Sequence, residues 1–162
     1  MSDYELQAIF HFTVSASNFE RSLAFYERLG FHVLRDNRDV VWPQFVADNF
    51  GMARAQGRGA LLALEDEASQ VRIDLIEWIE PRHVASQDGP PRIVAIRTKN
   101  VVAAYETLSA RGIEFIREPY HPDSALGVEA VVCCKDPDGL IVELIEYQKG
   151  VLGSRVGSLE TR

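Results

Sequence analysis

Residues 18–31 read NFERSLAFYERLGF and residues 100–113 read NVVAAYETLSARGI, and the architecture of the chain follows from setting one against the other. Asn18 to Asn100 and Gly30 to Gly112 are both separated by 82 positions, so the register agrees at the two ends. Phe19, Leu23 and Tyr26 fall on Val101, Tyr105 and Leu108 at the same separation. Apolar residues at this spacing share one face of a helix, and a following glycine is a common stop signal. In the first copy, Ser17 with Glu20 three residues on reads as a capping box. The pattern predicts helices over about 18–29 and over Asn100–Arg111.

Around each helix the chain reads as strands. Ala8–Val14, Phe31–Arg35, Ala60–Leu64 and Val71–Trp78 are β-branched, aromatic or alternating, which gives β-α-β-β-β for the first half. Ile93–Ile96, Ile113–Arg117, Val128–Cys134 and Leu140–Tyr147 supply the same order in the second half. The closing strands match as Ile73–Trp78 against Val142–Tyr147, at a separation of 69. The shorter distance has a cause: the first half carries a long insertion, Asp36–Gly59. Modules of about 8–80 and 92–148, joined by a linker over Pro81–Pro91, make one domain over 1–149, with a mobile tail over 150–162.

The composition sets the outer limits on function. Of 162 residues, 46% are apolar and 25% charged, which suits a globule with a core. The 17 basic and 24 acidic side chains leave a net charge of −7, which repels nucleic-acid backbones and anionic membranes. A small molecule is the expected partner. No apolar run reaches the roughly 18–20 residues of a membrane span, and Met1–Gln7 lacks the features of a secretory signal, so a cytoplasmic location is expected. Cys133 and Cys134 are adjacent and alternate faces if they lie in a strand; they read as reduced packing residues.

The duplicated βαβββ frame carries an ordered set of motifs. His11 is followed seven residues later by Asn18-Phe19; Phe25-Tyr26-Glu27-Arg28-Leu29-Gly30-Phe31 follows; Asp136-Pro137-Asp138-Gly139 leads into Glu143-Leu144. Together they resemble the vicinal oxygen chelate superfamily over about residues 8–147. That superfamily includes glyoxalase I, methylmalonyl-CoA epimerase, extradiol dioxygenases, fosfomycin-resistance transferases and bleomycin-binding proteins, so the fold alone leaves the chemistry open. The resemblance implies an α+β fold of two tandem βαβββ modules, forming curved, partly closed mixed sheets with a concave cavity. It also implies a homodimer. In metal-dependent members it implies metal ligands at His11, Asp74 and Glu143, with a fourth expected at position 93. Ile93 stands there and cannot bind a metal.

Strand parity bears on these residues without the resemblance. Phe10, Phe12 and Val14 share one face, a natural seat for the helix, which turns His11 and Thr13 to the concave side. Glu143 lies among Ile141, Ile145 and Tyr147, where a carboxylate needs solvent, a partner or a metal. Asp74 has a plainer reading as a local partner of Arg72, and His11 as a hydrogen-bonded core histidine. His121 is a further ligand or proton carrier, or a solvated loop histidine like His32 and His83. One imidazole and two carboxylates suit Mn²⁺, Ni²⁺, Co²⁺, Zn²⁺ or Mg²⁺, and the loss of a second histidine counts against an iron oxygenase.

Two functions from different classes follow. A metal-dependent isomerase, epimerase or lyase would polarise a carbonyl or vicinal-oxygen substrate, with Glu143 or Asp74 as the catalytic carboxylate that moves the proton. Alternatively, with Ile93 in place, the chain is a metal-free binding or sequestration protein of the bleomycin-resistance type. A noncatalytic scaffold subunit is a third possibility. The insertion bears on the first two. It holds Trp42, Pro43, Phe45, Val46, Phe50 and Met52, with a short helix expected over Gln44–Phe50, and reads equally as a packing flap or as a pocket wall favouring apolar or ring-bearing ligands.

Overall fold

A computed structural model of the chain describes residues 10–64, 71–83, 91–122 and 127–150. The expected strand residues Ala8 and Ile9, most of the linker, part of the loop before Gly127 and the tail after Gly150 lie outside the described residues. The chain divides into two compact units, Met1–Val84 and Ala85–Arg162. Among the described residues no helix is long and apolar enough to cross a membrane.

The first unit runs β1 (His11–Ala16), α1 (Phe19–Arg28), β2 (Phe31–Asp36), α2 (Gln44–Asn49), β3 (Gln56–Leu64) and β4 (Arg72–Glu80). Its sheet has the order β1-β4-β3-β2, with β1 parallel to β4 and the other pairs antiparallel. The second unit runs β5 (Ile93–Arg97), α3 (Val101–Ala110), β6 (Val128–Lys135) and β7 (Ile141–Tyr147), in the order β5-β7-β6. In both units the opening strand lies parallel to the closing strand, as a repeated module requires. Sheets of four and three strands are too narrow to curl shut, and neither closes on itself.

The strand expected over Ile113–Arg117 is reduced to isolated bridges from Phe115 to Cys134 and from Tyr120 to Val131. Pro119 between them has no N–H to donate, so a continuous ladder along β6 is interrupted. The helix expected in the insertion is α2.

The start of α1 differs from the expected capping box. Asn18 is the cap, its Oδ1 accepting from the Arg21 N–H at 2.9 Å, and Glu20 instead meets Arg38 and Arg58. The carboxylate that serves the first turn comes from the closing strand: Glu77 accepts from the Phe19 N–H at 2.9 Å. The second unit repeats the device with Asn100 and with Glu146, which accepts from the Val101 N–H at 3.0 Å. Each module thus ties the start of its helix to the strand that ends it, satisfying amides a helix leaves open.

The core lies on the helix side of each sheet. Val14, Ala16, Ala60, Leu62, Ile73 and Leu75 are buried with Phe19, Leu23 and Tyr26. The seat expected at Phe10 and Phe12 is not used, and these rings are 62% and 50% exposed. Helix α1 packs over β2 and β4. The edge strand β1 is buried only at its far end, through Val14 and Ala16. In the second unit Asp136 is buried in the turn after β6, its Oδ1 accepting from the Asp138 and Leu140 N–H groups at 2.9 and 2.8 Å. The Asp-Pro-Asp-Gly motif is therefore a turn device.

Candidate functional site

The face of the first sheet opposite α1 carries the residues that matter. Strand register sets them in rows: Arg35 opposite Leu61, Leu61 opposite Asp74, and Asp74 beside Thr13. In the next row Gly59 lies opposite Ile76, and Ile76 beside Ser15; in the third Gly57 lies opposite Trp78. Directly paired residues project to the same side of a sheet. His11, two residues before Thr13, shares this side.

Over these rows lies the insertion. A cavity of about 350 Å³ is lined by Arg35, Asn37, Asp74, Ile76 and Gly59 on the sheet side and by Val40, Trp42, Pro43, Val46 and Phe50 on the other. All belong to the first unit. The volume is at the small end of ligand pockets, which run from about 300 to 1,000 Å³. Trp42 meets Trp78 edge to face, with centroids 5.4 Å apart at 82°, and Phe50 lies 6.3 Å from Trp78. The Trp78 Nε1–H donates to Ser15 Oγ at 3.1 Å, fixing the indole from below. Gly57 makes room for the insertion: a Cβ there would come within 2.8 Å of two ring atoms of Trp42. The insertion is a pocket wall.

Asp74 is half-buried in this floor, and burial raises its pKa while His11 opposes the shift. His11 itself is exposed, its ring edge-on to Phe10 at 5.3 Å. His11 lies on the neighbouring strand β1, where its partner in register is Arg72. Neither Asp74, Arg35 nor the Asn37 side chain makes a hydrogen bond or ion pair among the described residues. On the other side of the sheet the neighbouring arginines are occupied. Arg38 binds Asp36 at 2.6 Å and holds that exposed carboxyl down to about 2, and Arg58 meets Glu20 at 2.9 Å.

Glu143 stands in the second unit. It is paired across the sheet with Ala95 on one side and Cys133 on the other, and has no hydrogen bond or ion pair among the described residues. Burial and the Glu143 charge raise the Cys133 pKa; burial carries Cys134 to about 11. Both thiols are free, and both are protonated at neutral pH. Ile93 is 55% exposed on the edge strand β5. The His121 Nδ1 lies 3.0 Å from the Glu129 carbonyl oxygen, so that nitrogen donates. His32 is exposed as expected, whereas the His83 Nε2 is shut from solvent with no partner among the described residues.

The donor set that the resemblance implies is therefore divided: His11 and Asp74 in one unit, Glu143 in the other, and an isoleucine at the fourth position. Among the described residues no three His, Cys, Asp or Glu side chains form a group able to hold a metal ion.

The chain belongs to the glyoxalase/bleomycin resistance protein/dioxygenase superfamily, whose model matches residues 8–144. The glyoxalase domain-containing protein RDO1 of Mycosarcoma maydis is 24% identical over 146 residues, covering 88% of this chain and 70% of that protein. A glyoxalase family protein from Bacillus cereus superposes with a TM-score of 0.68 at 16% identity, covering 91% of this chain and 99% of the other. TnmS3, an antibiotic binding protein from Streptomyces sp. CB03234, does so with a TM-score of 0.63 at 22% identity, covering 90% and 99%. At such identities the structural likenesses establish the fold.

Proposed function

We propose that this protein binds a compact, ring-bearing or largely apolar small molecule in the first unit's cavity without a metal ion. The observation that carries this reading is the cavity itself, roofed by Trp42, Pro43, Val46 and Phe50 of the insertion and floored by Ile76 and Gly59. Apolar walls with a few polar groups are the usual make-up of a small-molecule site. The likeness to an antibiotic binding protein supports binding or sequestration as the activity. One observation favours a second reading. Asp74, raised by burial and facing the His11 charge, has the environment of a proton-transfer carboxylate, as an isomerase, epimerase or lyase requires.

Elemental analysis separates the two readings. Untagged protein and its His11→Ala and Glu143→Ala variants should all carry far less than one metal ion per chain. Near-stoichiometric Mn, Ni, Co, Zn or Mg in the parent, lost in both variants, would overturn metal-free binding and favour the metal-dependent enzyme.

A further inference from the structure

A β-bulge decides which charge the cavity presents. Along β2, Phe31 pairs with Leu64 and Val33 with Leu62, both on the helix side, where Phe31 is buried and Val33, nearer the edge, is exposed. Unbroken alternation would carry Leu34 to Leu61 and Arg35 to Ala60, turning the guanidinium to the helix side, in the exposed place that Asp36 takes. The register slips between Val33 and Arg35, so Arg35 stands opposite Leu61 and on the cavity side. Inserting one residue in a strand is a known way to re-aim a side chain. Asp36 then pairs with Ala60 and meets Arg38 on the other face. The bulge thus separates a paired cation, Arg38, from Arg35, which has no acidic partner among the described residues.

Arg35 and Asp74 stand in one row with Leu61 between them, two strand spacings or roughly 10 Å apart at the backbone. They form no ion pair with each other. The cavity is therefore polarised, with Arg35 and Asn37 toward the β2 side and Asp74 toward β4. The aromatic and aliphatic residues of the insertion lie over the space between.

We propose that the cavity takes a compact aromatic carboxylate, its ring against Trp42 and Phe50 and its carboxylate on the Arg35 guanidinium with Asn37 beside it. This rests on the reading of the cavity as the binding site. A planar guanidinium matches a carboxylate with two parallel hydrogen bonds, and a neutral amide beside it supplies a further donor. The Asp74 carboxylate repels an anion placed at the β4 end, so the orientation is fixed by repulsion as well as attraction. The indole and phenyl faces favour a flat ring over a branched chain.

The test uses the full chain, with fluorescence of Trp42 and Trp78 as the signal and 2-naphthoate and its neutral isostere 2-naphthamide as probes. The naphthoate should bind about tenfold more tightly or better. That preference should fall to about one in Arg35→Gln and stay intermediate in Arg35→Lys. Equal binding of the two probes to the parent protein, or a preference that survives Arg35→Gln, would overturn the carboxylate assignment and leave the cavity as the binding site. Quenching by neither probe would overturn both. Arg35 is exposed and makes no ion pair or side-chain hydrogen bond among the described residues, so the variants should keep the parent's melting temperature, which checks that they fold.

Discussion

Trp42→Ala should weaken binding of an aromatic ligand by about 2 kcal/mol, roughly 30-fold in Kd. The indole lines the cavity, meets Trp78 edge to face and packs onto the Cα of Gly57. Its removal takes away a wall and the ring that a flat ligand would stack on, while the core on the far side of the sheet is untouched. Isothermal titration of 2-naphthoate into the variant checks this, since the variant has lost one of the two fluorescent reporters. Trp42→Phe keeps a ring and should recover most of the loss. An unchanged affinity in Trp42→Ala would place the ligand elsewhere.

Gly59→Ala should cost about 3 kcal/mol of stability, at the upper end for overpacking, because the obstacle is backbone rather than a side chain that can turn aside. A Cβ built on Gly59 collides with the Leu75 carbonyl oxygen and comes within 3.3 Å of the Ile76 Cα. Relief requires β3 to part from β4 at the centre of the first sheet. For a chain of this length the loss corresponds to roughly 10 °C in Tm. Thermal melting checks it, and a change of under a degree would show that the two strands are not so closely opposed in solution.

Much of the frame was legible because it is written twice. The asparagine and glycine at the ends of α1 and α3, 82 residues apart, set both modules in register, and the 69-residue match of the closing strands contained the Glu77 and Glu146 that tie each helix down. The capping box at Ser17 and Glu20 was a local signal, overruled by a strand 58 residues away. From sequence alone the strand starts at Ala60, since Gly57 and Gly59 discourage a strand, whereas β3 begins at Gln56. Their purpose emerges only once Trp42 lies on Gly57 and Leu75 runs beside Gly59. Arg35 was the residue sequence reasoning missed. Period-two alternation puts it on the wrong face, and nothing in Val33-Leu34-Arg35 announces the bulge. The resemblance points to Asp74 and His11, and parity turns His11 to the same side as Thr13; their register, with Thr13 rather than His11 beside Asp74, requires the sheet.

The resemblance directs attention to His11, Asp74 and Glu143, which fall two in one unit and one in the other. The insertion instead builds an open cleft from a single unit, with aromatic rings over it and two separated charges. On the proposed reading, such a cavity selects its ligand by shape and polarity.

The most direct measurement is calorimetric titration of 2-naphthoate into the full chain after exhaustive chelation, repeated with one equivalent of Mn²⁺ or Ni²⁺ restored. Metal-independent binding predicts one ligand per chain, with affinities in the two titrations agreeing within about twofold, or about 0.4 kcal/mol. Binding that is absent from the stripped protein and appears only when the metal is returned would contradict it.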